Sequence, residues 1–128
     1  RDSDNTKAYT GFTSGAFYVG IDFVGDQIDA ETPGMTHFNM DVYAPSGATF
    51  GIKLVDFGPD GSYGGGDDTE RQLVFTAASD PAFTPGGWAE LDIPLEQFAG
   101  MNFGNVSQIV LTAFSGGNVW IDNVYFHK

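Results

Sequence analysis

Hydrophobic and polar residues alternate along most of the chain, in short segments bounded by Gly, Pro, Asn or Asp. In the segment 36–44, Phe38, Met40 and Val42 fall on one side, while polar residues fall on the other. A period of two is typical of half-buried β-strands. The pattern predicts strands over 17–24, 36–44, 50–57, 71–76, 90–94, 108–114 and 119–126.

Short strands separated by turn clusters predict an all-β sandwich or barrel. The residues expected to face its core are Phe38, Met40, Val42, Ile52, Leu54, Leu91, Ile93, Ile109 and Leu111. The segment 94–100 is the one helix-like piece, and we expect a single turn that ends at Gly100 with Leu95 and Phe98 held against the core. A turn of this length cannot organise a helical fold.

The chain length of 128 residues fits one domain, which we assign to 1–128. Twelve Phe residues supply the core, and eighteen Gly residues favour many turns. Residues 1–8 are polar and are expected to be frayed. There is no apolar run long enough to span a bilayer and no signal peptide, and the start at Arg1 suggests a piece of a longer protein.

The net charge limits the classes of binding partner that we expect. Seventeen acidic residues against five basic ones give a formal net charge of −12. Such a surface repels nucleic-acid phosphates, so nucleic acid is not an expected partner, and neither is a membrane. Solubility is one interpretation of the excess acid, and calcium binding is another. The absence of Cys excludes disulfides, thiolate metal sites and thiol nucleophiles.

Several ordered blocks resemble a jelly-roll domain that is common in secreted bacterial polysaccharide-degrading proteins. They lie at 35–43, 50–58, 64–70, 87–95 and 119–126, so that the resemblance covers 9–127. Such domains accompany laminarinase- or agarase-like glycoside hydrolases as carbohydrate-binding modules. The resemblance implies a jelly-roll β-sandwich of two antiparallel sheets and a polysaccharide ligand. It also implies a secreted or cell-surface location and a monomer tethered to other domains.

Two acidic regions are candidates for calcium. Asp122 matches a last-strand position that, in many jelly-roll modules, holds a structural Ca²⁺ together with the first strand, but the stretch before Tyr9 is shorter here than in comparable members. The glycine-rich loop 60–70 offers Asp60, Asp67 and Asp68, and calcium prefers carboxylate and carbonyl oxygens. The alternative is a hairpin loop whose acids are only solvated, and the sequence leaves both open.

Aromatic residues supply candidate sugar platforms, since the apolar faces of pyranose rings stack on aromatic rings. Trp120 faces outward if Val119 and Ile121 face the core; in the alternative, Trp120, Val124 and Phe126 are buried. Trp88 is a second candidate, although a Trp at this position more often caps a core. Tyr18, Tyr43 and Tyr63 complete the aromatic set.

Polar residues on the strands could form the floor of a shallow groove. The candidate ligand contacts among them are His37, Asn39, Lys53, Arg71 and Gln108. Each also has an ordinary structural interpretation: a salt bridge of Arg71 with Glu70, Asp41 or Glu90, or a solvated Lys53. As a set on one sheet, these side chains would offer hydrogen bonds to sugar hydroxyls.

No catalytic motif stands out. The chain has no Gly-x-Ser-x-Gly elbow and no phosphate-binding glycine loop followed by Lys-Ser/Thr. We therefore expect a non-catalytic polysaccharide-binding module. Its expected ligand is a neutral β-glucan such as laminarin, or secondly a marine galactan. The alternative is a calcium-stabilised structural or adhesive β-sandwich that binds no sugar.

Overall fold

A computed structural model describes residues 6–10 and 18–128. Its strands are β1 (Lys7–Tyr9), β2 (Tyr18–Asp22), β3 (His37–Tyr43), β4 (Phe50–Asp56), β5 (Thr69–Phe75), β6 (Trp88–Pro94), β7 (Val106–Thr112) and β8 (Val119–His127). Every predicted strand is present, with bounds that differ by a few residues. Phe17, predicted to begin the first of them, lies outside the described residues.

The strands form two antiparallel sheets. Sheet I has the order β1-β8-β3-β6, and sheet II has the order β2-β7-β4-β5. Successive strands alternate between the sheets for most of the chain, which is the connectivity of a jelly roll. The predicted jelly-roll β-sandwich is therefore confirmed. In the part of the chain that the structure describes, no helix is long and apolar enough to cross a membrane.

The core lies between the inner faces of the two sheets. All nine residues predicted to face it are buried. Aromatic side chains fill much of the remaining space, and Phe38 contacts Phe98 and Phe126 with ring centroids 6.5 and 5.1 Å apart. This packing follows from the alternation, because every second residue of a strand points to the same side.

The predicted helix-like turn is a short 3-10 helix, Leu95–Gln97, between β6 and β7. Leu95 and Phe98 are buried against the core, as expected. Gly100 follows with a φ of 83°, a left-handed conformation in which glycine carries no Cβ penalty. The turn thus closes one end of the sandwich.

The structure differs from the expectation at the N-terminus. The pairs Lys7 with Ile121 and Tyr9 with Val119 place β1 at the edge of sheet I. Lys7 and Ala8 are therefore strand residues rather than frayed ones, because β8 supplies backbone partners that the polar sequence does not reveal. The other expected frayed residues, 1–5, lie outside the described part.

Candidate functional site

The outer face of sheet II forms a groove with a volume of about 480 Å³. Strand register explains its floor: Lys53 lies between Gln72 and Val110, and the neighbouring row contains Val55, Glu70 and Gln108. The lining residues are Tyr18, Lys53, Val55, Tyr63, Glu70, Gln72, Gln108, Val110 and Thr112. We call this surface the groove.

Two tyrosines line different parts of the groove. Tyr18 lies on the edge strand β2 and is 76% exposed, and Tyr63 lies in the loop after β4 and is 80% exposed. The ring of Tyr63 packs against Phe57, with centroids 5.7 Å apart and planes at 63°. Because Phe57 is buried, it fixes a ring that is otherwise open to solvent. Both tyrosines therefore offer aromatic surface to a ligand.

The polar groups of the floor are arranged in pairs. Lys53 Nζ lies 2.9 Å from Glu70 Oε1. Lys53 is the one cationic residue that lines the groove, and the carboxylate of Glu70 neutralises its charge. Gln108 Nε2 donates to Asp22 Oδ2 at 3.1 Å. These contacts hold the side chains in fixed positions while leaving other donor and acceptor positions for a ligand.

The floor also contains an unsatisfied hydroxyl. Thr112 is buried, and its Oγ1 has no hydrogen-bond partner. A Cβ at Gly51 would collide with this oxygen, so glycine is needed at that position of β4. The hydroxyl is thus a polar group without a partner among the residues that line the groove.

Sheet I presents a different outer face. Tyr43 pairs in register with Trp88 on β6 and with Trp120 on β8. The ring of Tyr43 lies 5.8 Å from that of Trp88 and 5.7 Å from that of Trp120. We call Trp88, Tyr43 and Trp120 the aromatic row. Val119 and Ile121 are buried, which confirms the outward orientation of Trp120.

The aromatic row changes two expectations. Trp88 is 37% exposed on the outer face and does not cap the core. Trp120 and Trp88 also lie on sheet I, whereas Tyr18, Lys53 and Gln108 lie on sheet II and Tyr63 lies in the loop beside it. The aromatic candidates therefore belong to two surfaces rather than one, because β3, β6 and β8 join in a sheet of their own.

The next row on sheet I is acidic. Asp41 pairs in register with Glu90 and with Asp122, each two residues from a member of the aromatic row. We call Glu90, Asp41 and Asp122 the acidic row. Asp122 accepts hydrogen bonds from Thr6 Oγ1 at 3.3 Å and from the Asn123 backbone N–H at 2.8 Å.

Asn39 is not placed to contact a ligand. It is only 2% exposed, and its Nδ2 donates to the backbone oxygen of Asn123 at 2.8 Å. Asn123 has a φ of 49° and donates through its Nδ2 to Asp41 Oδ2 at 2.7 Å. The register of β3 and β8 shifts at this point. The predicted ligand contact is therefore corrected to a brace for a β-bulge, since a bulge leaves backbone groups to be satisfied by side chains.

His37 lies at the end of β3 opposite His127, and their rings stack at 5.1 Å. His127 Nε2 bonds Asp92 Oδ1 at 2.7 Å, and its Nδ1 bonds the Lys128 backbone oxygen at 2.9 Å. The bond to Asp92, followed by that to Lys128, raises the pKa of His127 above its usual value of 6.5. His37 is thus on sheet I, away from the groove.

Arg71 is also separated from the floor of the groove. It pairs in register with Leu54, so it points to the opposite side of β5 from Glu70 and Gln72. Glu70, one of its expected partners, pairs with Lys53 instead. The prediction that Arg71, His37 and Asn39 share one floor with Lys53 and Gln108 is wrong, because the first three lie on other faces.

The loop between β4 and β5 gathers the predicted calcium ligands. One carboxylate oxygen each from Asp60, Asp67 and Asp68 lies within 4.8 Å of the others. Asp67 Oδ1 and Asp68 Oδ1 are buried without a hydrogen-bond partner. Asp60 and Asp68 also accept backbone N–H groups from Ser62 and Gly64, at 2.9 and 2.7 Å. Asp122, on sheet I, is not part of this cluster.

Sequence reasoning missed Thr112, Val55 and Val110 as lining residues of the groove. Thr112 resembles any polar strand residue, and the two valines resemble core residues. The signal that identifies them is the pairing of β4 with β7, which places Val55 beside Gln108 and Lys53 beside Val110. This pairing depends on topology, and a single strand's pattern does not contain it.

Several solved structures have a fold similar to that of this chain. No protein-family model and no curated protein matches the sequence. Among solved structures, the family 30 carbohydrate-binding module of the cellulosomal cellulase Cel9D-Cel44B of Clostridium thermocellum has a TM-score of 0.68 at 18% identity. The match covers 93% of this chain and 72% of that one.

Two further structures extend this likeness. A family 11 module from Clostridium thermocellum, solved with a β-1,3-1,4-mixed-linked tetrasaccharide, has a TM-score of 0.54 at 14% identity, covering 98% of this chain and 90% of that one. A family 28 module specific for non-crystalline cellulose has a TM-score of 0.54 at 12% identity, covering 94% and 73%. At these identities the likeness concerns the fold. The chain has the β-sandwich fold found in carbohydrate-binding modules.

Proposed function

We propose that this chain is a non-catalytic carbohydrate-binding module that holds a polysaccharide chain in the groove. The observation that carries the proposal is the pair of strongly exposed tyrosines, Tyr18 and Tyr63, beside a floor of fixed polar groups. Aromatic rings stack on the apolar faces of sugars, while paired amide and charged groups exchange hydrogen bonds with sugar hydroxyls. The carbohydrate-binding modules of the same fold support this proposal.

The preferred ligand in this proposal is a neutral β-glucan such as laminarin, with a marine galactan second. Lys53 is balanced by Glu70, and the whole chain carries a formal charge of −12. Carboxylated or sulfated polymers would meet net repulsion at such a surface. We extend the proposal to a secreted or cell-surface protein, in which a monomeric module is tethered to a bacterial glycoside hydrolase.

The test compares an exposed tyrosine of the groove with one on the outer face of sheet I. Tyr63→Ala removes one aromatic wall of the groove, and Tyr125→Ala removes a tyrosine on β8 that is 49% exposed. Affinity electrophoresis should show retardation of the wild type by laminarin, and this retardation should be reduced in Tyr63→Ala at the same melting temperature. Tyr125→Ala should remain retarded. Equal retardation of the two variants would contradict a site in the groove.

Calcium binding at Asp60, Asp67 and Asp68 is a second part of the proposal. The donor set suits calcium, which takes six to eight oxygen ligands, and two buried oxygens of the cluster have no other partner. Backbone carbonyls of the glycine-rich loop and water would complete the shell. Because Tyr63 belongs to the same loop, bound calcium would stabilise the loop that carries a wall of the groove.

Calcium should raise the melting temperature, since a ligand that binds only the folded state stabilises it by mass action, by about 2.7 kcal/mol at a hundredfold excess over Kd. Asp67→Asn should remove most of this response, whereas Glu96→Gln, outside the cluster, should keep it. Identical melting curves in EDTA and in calcium would rule out the metal. A calcium response without retardation by any polysaccharide would favour the second candidate function, a structural or adhesive domain.

A further inference from the structure

The aromatic row and the acidic row form a continuous surface on sheet I, facing away from the groove. Trp88, Tyr43 and Trp120 cross three neighbouring strands, with successive ring centroids 5.8 and 5.7 Å apart. Each aromatic residue has an acidic residue two positions along its own strand, on the same side of the sheet. The result is a narrow apolar strip beside the acidic row, of which Glu90 is exposed, Asp122 is half-buried and Asp41 is buried.

The aromatic row with carboxylates beside it is compatible with few classes of binding partner. The core of a protein interface is depleted of charged residues, whereas here the carboxylates lie one row from the aromatic rings. An anionic membrane surface or a nucleic acid would be repelled by the acidic row and by the net charge of −12. A sugar chain matches both features, because each unit has an apolar ring face and a rim of hydroxyl donors.

We propose that the aromatic row is a second glycan-binding surface, which stacks a neutral polysaccharide chain while Glu90, the exposed member of the acidic row, accepts hydrogen bonds from its hydroxyls. The rings of Trp88 and Trp120 are tilted by 43° and 59° against that of Tyr43, so a glycan that crosses the row would meet three separate ring surfaces rather than one flat platform. Glu90 is exposed beside Trp88 and is the most accessible acceptor of the acidic row. This surface goes beyond the proposed function, since it requires no residue of the groove.

Two surfaces on opposite sheets make the module bivalent. One molecule can then hold two polysaccharide chains, or two parts of one chain, and so cross-link a soluble polymer. Linked binding of this kind raises the apparent affinity for a polymer above that for a short oligosaccharide, without any new contact. In a module that has only the groove, the affinity for a polymer would exceed the affinity for an oligosaccharide only while the oligosaccharide is too short to fill the groove.

The test is the number of sites for a short oligosaccharide of laminarin, measured by calorimetry. The wild type should bind two molecules, and Trp88→Ala and Tyr63→Ala should each bind one. Trp120→Ala, at the other end of the aromatic row, serves as an independent second variant, and melting temperatures identify any variant that is not folded. Mixing with polymeric laminarin should produce turbidity with the wild type and with neither Trp88→Ala nor Tyr63→Ala.

The outcomes separate the two proposals. A single wild-type site that is lost in Tyr63→Ala and unchanged in Trp88→Ala and Trp120→Ala overturns the second surface and keeps the groove. A single site that is lost in Trp88→Ala and kept in Tyr63→Ala overturns the groove and keeps the aromatic row. Absence of binding to laminarin, mixed-linked glucan and agarose oligosaccharides overturns both.

Discussion

The outer faces of the two sheets are built from the same alternating strands, yet their polar residues behave differently. On sheet II, Lys53, Glu70 and Gln108 form pairs at the surface of an open groove. On sheet I, Asn39 and Asp41 are buried although they point away from the core. The difference arises at the bulge in β8, where Asn123 brings its own polar groups over this part of β3.

This comparison shows that an outward-facing polar residue is not by itself a ligand contact. In the groove, β4 and β7 keep a regular register from Gly51 to Val55, and Lys53 and Gln108 on their outer side remain partly exposed. A strand with a bulge needs side chains to satisfy its displaced backbone groups. The same residue types are therefore available for recognition on one sheet and engaged in structure on the other.

The largest effect is expected from Phe57→Ala, which removes the buried ring beneath Tyr63. Truncation of a buried Phe costs about 3–5 kcal/mol of the free energy of unfolding. The groove should lose affinity because its tyrosine wall loses support, while binding at the aromatic row should persist. Denaturant unfolding and calorimetry measure the two effects. A destabilisation no larger than that of Tyr63→Ala would contradict the role of Phe57 as the base of this wall.

A smaller effect is expected from Asn39→Ala. The variant removes the part-buried hydrogen bond from Asn39 Nδ2 to the backbone oxygen of Asn123, and a typical hydrogen bond contributes about 0.5–1.5 kcal/mol to stability. Glycan binding in the groove should be unchanged. Gln72→Ala is the matched control on sheet II, where exposure predicts little loss of stability and weaker binding. Weaker binding by a fully stable Asn39→Ala protein would restore Asn39 as a ligand contact.

Much of the fold could be predicted because its information is local. Alternation located seven of the strands and all nine core residues that were named, whereas the 3-10 helix ends at Gln97, three residues before the predicted Gly100. The short β1 could not be predicted, since its sequence is polar and its stability comes from β8. The alternation of hydrophobic residues predicts which residues of a strand face the core. Whether a polar segment is ordered depends instead on pairing with a neighbouring strand.

The candidate site was predictable only in part. The sequence identified Tyr18, Tyr63, Lys53 and Gln108, which meet in the groove, and the three aspartates that cluster in the loop after β4. It also combined them with His37, Asn39 and Trp120, which lie on sheet I. Outward orientation could be read from alternation, whereas the assignment of each outer face to a sheet depended on the order of the strands.

The smallest predicted effect concerns His127, which joins β8 to β6 across the end of β3. Both of its ring nitrogens face oxygen acceptors, on Asp92 and Lys128, so both must carry a proton for both bonds to form. The folded pKa of His127 is consequently raised above the usual 6.5. Its contribution to stability is complete below pH 6.5 and is lost as the pH rises through the raised value.

Melting temperatures of the wild type and of the Asp92→Asn variant, measured between about pH 5 and about pH 9 so that the range brackets the usual pKa of His, check this prediction. The wild type should exceed the variant at the acidic end, and the difference should shrink as the pH rises. Asp26→Asn is the control, because Asp26 is an exposed acid away from the bond between His127 and Asp92 and its loss should leave the pH dependence in place. A difference between wild type and Asp92→Asn that stays constant over this range would mean that Asp92 stabilises β8 without the charge of His127.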